Sequence, residues 1–228
     1  MKAREVLERN QYVGPAPVPV PYYSKVVCSQ RIREFVISPP IVRQGLAHLV
    51  LSEALQDRIG AAVNSGQAIF LYGLPGNGKT VIAEAMGRNM LPGQVYVPYA
   101  VEVDGQVIKV LDPVVHEAVG EPADTKPGNN SAGRLDARWV RCKRPVVTTG
   151  GELVMESLDL NYNPVTRYYE APFQMKANNG VFLIDDFGRQ LVRPRDLLNR
   201  WIVPLERQVD FLTLHTGKKI EVPFEELI

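Results

Sequence analysis

Residues 68–80 read A-I-F-L-Y-G-L-P-G-N-G-K-T, and the reading of this stretch decides the fold. Ala68 to Tyr72 is a short apolar run between Gly66 and Gly73, the pattern of a buried parallel strand. Gly73 to Thr80 fits G-x-x-x-x-G-K-[ST]. Its glycines, Gly73, Gly76 and Gly78, let the backbone curl so that several N–H groups point inward at phosphate oxygens. Beyond the loop, Val81, Ile82, Ala85, Met86 and Met90 mark one face of a helix that stops before Pro92. That helix, starting near Lys79, turns the positive end of its dipole toward the loop. Lys79 offers a point charge for β- and γ-phosphates, and the Thr80 hydroxyl is a hard oxygen ligand for Mg²⁺. Glycine is about 7% of average usage, so a chance match in a chain this long is on the order of one in a hundred. Strand, loop and helix together read as the opening of a doubly wound α/β unit.

Outward from the loop, the next informative stretch is G-V-F-L-I-D-D, Gly180 to Asp186: four apolar residues ending in two carboxylates. A carboxylate at the C-terminal edge of a buried parallel strand sits at the crevice where α/β folds bind ligands. Asp185 is thereby a candidate Mg²⁺ ligand, usually through water, and Asp186 a candidate for polarising an attacking water. Alone, two acids after an apolar run also read as a solvated strand end. The phosphate loop favours the first reading, because a Mg²⁺–nucleotide site needs such an acid.

Elsewhere the chain alternates between clear and irregular stretches. Ala3 to Asn10 has the pattern of a short helix, and G-P-A-P-V-P-V-P, Gly14 to Pro21, reads as an extended connector or an arm on the main body. From Ile41 to Val63 the apolar positions fall near helical spacing, ended by N-S-G at Asn64 to Gly66. Asp104-Gly105 joins two strand-like runs in a hairpin signal. Glu121 to Gly133 is a polar loop expected to be mobile, and Trp139 to Thr148 and Glu152 to Leu160 read as extended. After Pro194, Leu197, Leu198, Trp201, Ile202 and Leu205 form a helical stripe, with a kink or early end expected at Pro204. F-L-T-L, a turn at His215-Thr216-Gly217, and K-K-I-E-V read as a second hairpin.

Composition narrows the class. The 228 residues are 45% hydrophobic and 22% charged, as in ordinary globular domains and unlike disordered or disulfide-scaffold chains. The formal net charge of +1 gives no global field for nucleic acid or anionic lipid. Two cysteines, Cys28 and Cys142, fit a reducing compartment, and three histidines without short-range partners argue against a structural metal site. No stretch approaches the ~18 consecutive apolar residues of a spanning helix, and the start lacks a signal-peptide core. The expectation is a cytoplasmic protein with no membrane or nucleic-acid partner.

On the two motifs I-F-L-Y-G-L-P-G-N-G-K-T and G-V-F-L-I-D-D, the chain resembles the AAA+ branch of P-loop ATPases from about Ile41 to Ile228. The resemblance implies an α/β, three-layer P-loop NTPase fold with a parallel central sheet and a β-rich insertion at about 94–179, preceded by an arm over 1–40. It implies ATP and Mg²⁺ as cofactors and Mg²⁺-dependent hydrolysis coupled to remodelling of a protein partner, in a homo-oligomeric ring. Gly73, Leu74, Pro75, Gly76, Asn77, Gly78, Lys79, Thr80 and Val81 would hold the nucleotide, with Ile41 and Val42 beside the adenine. Thr80 and Asp185 would hold the metal, and Lys79 and Asp186 would serve catalysis. The segment from Leu197 to Phe224 looks like the helix and hairpin before sensor 1 in MoxR-like and related groups. Three departures accompany the likeness. Asp186 stands where the family usually has glutamate. Thr80 and Asp185 lie 105 residues apart, more than the family core needs. The chain ends where the family's next strand begins, so sensor 1, the arginine finger and the lid are expected beyond Ile228.

Two other readings stay open: a P-loop phosphotransferase acting on a small acceptor, and a nucleotide-sensing interaction module with little turnover. Arg134, Arg138, Arg141, Lys143 and Arg144 read either as a solvated strand face or as contacts to a phosphate backbone. Tyr168 and Tyr169 read either as packing residues or as a grip on a polypeptide. Arg193, Arg195, Arg200 and Arg207 are candidates for a subunit interface or for a neighbouring subunit's γ-phosphate, and no spacing rule singles one out.

Overall fold

The computed structural model describes residues 10–120 and 136–228; the helix expected at Ala3 to Asn10 and the loop at Glu121 to Gly133 lie outside them or at their margin. The chain is mixed α/β, and its largest sheet has five strands with both parallel and antiparallel pairs.

Near the N-terminus, Val18–Pro19 forms a two-residue strand, β1, and Val20–Cys28 the helix α1, which takes Pro21 in its first turn where no N–H is required. This proline-rich segment packs into the body: Val18, Tyr23 and Val27 are buried. The single helical run expected from Ile41 to Val63 is two helices, α2 (Pro39–Gly45) and α3 (Glu53–Asn64). Ser52 explains the break, since its side-chain oxygen accepts the Leu55 N–H and starts a second helix. The apolar period carries across because Val42, Leu46, Ile59 and Val63 all enter one core.

The apolar run Ala68 to Tyr72 is not a laddered strand. The Ile69 N–H donates to the Ile228 carbonyl at 2.6 Å, and the rest of the run makes no ladder bond among the described residues. A strand needs a repeating backbone partner, and the segment beside this one contributes a single carbonyl. The helix after the glycine loop forms as expected, as α4 (Lys79–Ala85) continued by a π-helical turn at Met86–Met90.

The middle of the chain supplies most of the β structure. β2 (Gln94–Pro98) leads at Tyr99 into β3 (Ala100–Val103), which turns through Asp104-Gly105 into β4 (Gln106–Lys109). Then come β5 (Trp139–Lys143), β6 (Val146–Thr149), β7 (Asn161–Asn163), β8 (Tyr168–Glu170) and the short helix α5 (Phe173–Ala177). The large sheet runs β1-β3-β4-β8-β7, so it is mixed rather than parallel. Two-residue turns such as Asp104-Gly105 allow only antiparallel neighbours. β2 pairs separately with β5. Glu152 to Leu160, expected to be extended, instead contains a 3₁₀ turn at Met155–Leu158.

β9 (Val181–Ile184) pairs in parallel with β6, Val146 opposite Val181 and Thr149 opposite Ile184. On its other side the Phe182 N–H donates to the Leu227 carbonyl and the Leu227 N–H to Gly180. α6 (Pro194–Arg207) runs through Pro204 to Arg207, three residues past the expected stop, held by Leu197, Trp201 and Pro204 on its buried face. β10 (Val209–Thr213) and β11 (Lys219–Pro223) form the expected hairpin. Its Leu212 and Val222 share a core with Val18, Tyr23, Ile108 and Tyr169, which joins the N-terminal segment, the large sheet and the hairpin. A third cluster, around Phe182, Leu197, Trp201 and Phe224, seals β9 against α6. Among the described residues no helix is long and apolar enough to cross a membrane.

Candidate functional site

The glycine loop leads directly into α4. Gly76 and Gly78 hold φ of +82° and +70°, backbone that an L side chain would strain, and Gly78 caps the helix in that conformation. The space around both Cα atoms is open. Pro75 and Gly76 form a tight turn that brings the Asn77 N–H toward the Leu74 carbonyl, and among the described residues the N–H groups of Gly73, Leu74, Gly76 and Gly78 donate to no protein acceptor. Four unspent donors beside a helix N-terminus are the kind of group an anion can accept from. Lys79 folds back onto the loop, its Nζ donating to the carbonyls of Gly73 (3.1 Å) and Leu74 (2.9 Å).

The two motifs meet at Thr80. Its hydroxyl donates to Asp185 Oδ2 at 2.9 Å across 105 residues of sequence. Asp185 is fixed from two further directions: its N–H donates to the Thr149 carbonyl at the end of β6, and its Oδ1 accepts the Asp186 N–H at 2.9 Å. Asp186 is exposed and turns the chain with φ of +51°. The next residues, up to Gln190, form a tight exposed turn. Gln190 Nε2 donates to the carbonyls of Asp185 (2.7 Å) and Asp186 (3.1 Å), while its Oε1 accepts the Gly188 N–H (2.7 Å).

Beside the loop, Phe70 and Tyr72 are 68% and 85% exposed, with Phe187 edge-on to Phe70 at 5.8 Å between centroids. Val81 is partly exposed on the first turn of α4. Ile41 is half-buried; Val42 is buried against Gly60 of α3, close enough that a Cβ there would meet its Cγ2 at 2.9 Å.

Most of the described basic stretch follows the solvated-face reading, with Arg141 and Lys143 exposed at alternate positions of β5, and Arg144 departs from it. Arg138 grips Asp136, Lys143 pairs with Glu117, and Arg141 donates to the Val119 carbonyl. Arg144 is buried, donating to the carbonyls of Pro92, Gln30 and Asn179. Arg134 lies outside the described residues. Tyr169 is fully buried and Tyr168 packs edge-on against Tyr12, both as packing residues. Of the arginines flanking or within α6, Arg200 is held by Asp210 and Arg193 by Asp196. No group of three or more His, Cys, Asp or Glu side chains able to hold a metal occurs among the described residues.

Gln190 and Thr149 were not visible as site residues in the sequence. A glutamine in a polar turn and a threonine offering only its carbonyl carry no motif. No protein-family model matches the chain, and no curated protein matches it.

Proposed function

We propose that this chain is an ATP-binding, Mg²⁺-dependent ATPase core of the AAA+ kind, with the three-layer P-loop NTPase architecture. One observation carries the reading: the 2.9 Å contact between Thr80 and Asp185, which joins two motifs that each imply the other. The residues fit the metal. Mg²⁺ takes hard oxygen ligands and, when it rides on phosphates, only one or two of them from protein. A hydroxyl and a carboxylate oxygen side by side at the mouth of the loop are such a pair.

In this reading the free amides from Gly73 to Gly78, with Leu74, Pro75, Asn77 and Val81 shaping the loop and helix start, cradle the phosphates. Lys79 leaves the two loop carbonyls for the β- and γ-phosphates. Half-buried Ile41, on α2, stands toward the base, whereas Val42, expected beside it there, is spent in the core against Gly60. Thr80 and Asp185 hold Mg²⁺, which when bound neutralises charge on the phosphates. Asp186 orients a water whose oxygen bonds to the γ-phosphorus as the bond to the β–γ bridging oxygen breaks. ADP leaves with that electron pair, and the water's proton passes to solvent. Catalysis is then positioning and electrostatics. Coupling to the remodelling of a protein partner, assembly into a ring and a cytoplasmic setting complete the proposal.

The test is MgATP binding and phosphate release by the wild type and Lys79→Ala. Lys79→Ala is expected to lose detectable binding, because the loop's one fixed cation is gone; unchanged affinity would refute the phosphate site. Phosphate release by the wild type without an added acceptor distinguishes an ATPase from a phosphotransferase, and binding without release would favour a nucleotide-sensing module.

A further inference from the structure

The geometry points to Gln190 as the positioning residue that sets where the Asp186 carboxylate lies, an inference resting on the ATPase reading above. The two neighbouring acids are held by different means. The Asp185 side chain is anchored by Thr80, and its backbone is tied to Thr149 on β6. The Asp186 carboxylate has no hydrogen-bond or ion-pair partner among the described residues. Its direction is therefore a property of the backbone, and that backbone is in the left-handed region, at φ +51°. Aspartate tolerates this conformation but does not prefer it over right-handed or extended backbone.

Three kinds of contact oppose that preference. The Arg189 N–H donates to the Asp186 carbonyl at 2.9 Å, Asp185 Oδ1 accepts the Asp186 N–H, and Gln190 spans the turn. Gln190 contributes most: one Nε2 takes both carbonyls that flank the Asp186 Cα, while Oε1 holds Gly188. The turn itself adds little to the cores, because residues 186–189 are all exposed. What the bonds of Gln190 hold is the conformation of the acid. Without them the Asp186 backbone is free to leave the left-handed region, which swings its Cα–Cβ bond and carries the carboxylate away from the water it orients. Phosphate binding uses the glycine loop and Asp185, which Thr80 and the Thr149 carbonyl still hold when the bonds of Gln190 are lost.

The experiment compares wild type, Gln190→Ala and Gln190→Glu for MgATP dissociation constant, single-turnover phosphate release and thermal midpoint. Gln190→Ala is expected to keep its dissociation constant within about two-fold and its thermal midpoint near that of wild type, with turnover reduced about ten-fold or more, as misplacement of a reacting group by an ångström does. Gln190→Glu keeps the length but sets a carboxylate oxygen against two carbonyls, so it is expected to lose at least as much. Turnover at the wild-type rate in Gln190→Ala overturns the inference and leaves the ATPase reading standing. Losses of binding and turnover in equal proportion also overturn it, since they mark a scaffold role. A wild type that releases no phosphate overturns the hydrolytic reading and this inference with it.

Discussion

Replacing Arg144 with methionine tests whether its guanidinium holds three parts of the fold together. The side chain is buried, at 8% exposure, and donates to the carbonyls of Pro92 (2.7 Å), Gln30 (3.1 Å) and Asn179 (2.7 Å). These carbonyls belong to the segment after α4, the turn after α1 and the approach to β9. The guanidinium also lies over the Phe35 ring, 5.1 Å from its centroid. Burial disfavours its charge and lowers its pKa to about 10, and no carboxylate compensates among the described residues. The Asn179 carbonyl is buried and the Pro92 and Gln30 carbonyls are part-buried; a buried carbonyl left without a donor costs about 1–3 kcal/mol, and one that water can reach costs less. Against this, methionine relieves the desolvation of a buried charge, a penalty of several kcal/mol, and preserves some packing volume. The balance is a net destabilisation of about 2–4 kcal/mol. For a chain of this size each kcal/mol lowers Tm by about 2–4 °C, so Arg144→Met is expected to melt about 5–15 °C below wild type. Thermal denaturation followed by circular dichroism measures this. A melting point within about 2 °C of wild type would refute the claim that the three carbonyls depend on Arg144.

Two further predictions concern the reaction and the pH response. Asp186→Asn is expected to bind MgATP as the wild type does while its phosphate release drops by about a hundred-fold or more, the range for loss of a positioned acid–base group; turnover at the original rate means that another group activates the water. His116 is buried, its Nδ1 accepting the Asp112 N–H and its Nε2–H donating to the Lys176 carbonyl, beside the Asp112–Lys176 ion pair. Burial lowers its pKa despite the raising effects of Asp112 and the Lys176 carbonyl. A base whose folded pKa is depressed contributes stability that is present above the unfolded value, about 6.5, and lost as pH falls through the lower folded value. Between about pH 7 and pH 5, the melting point of the wild type should therefore fall more steeply than that of His116→Gln; parallel curves would show that His116 does not titrate with unfolding.

Much of the site's local shape was legible in the sequence. The glycine loop, the start of α4 at Lys79 and the hairpin at Asp104-Gly105 depend on residues a few positions apart, whose backbone preferences act wherever the segment sits. Helix boundaries were less legible. The Ile41 to Val63 periodicity concealed the break at Ser52, because two helices that bury the same core keep one apolar rhythm. The run Ala68 to Tyr72 has the composition of a strand, yet a ladder requires a partner backbone, which composition does not report.

By itself the sequence determined the glycine-rich turn and the paired acids, since both arise from short-range backbone chemistry and residue type. Only the tertiary structure decided that Thr80 and Asp185 touch and that Arg144 faces carbonyls rather than a ligand. Those outcomes depend on which distant segments pack together and how deeply each side chain is buried. Burial reverses the meaning of a charge: the same arginine that reads as a surface contact in a string of residues becomes, once desolvated, an internal donor to the main chain.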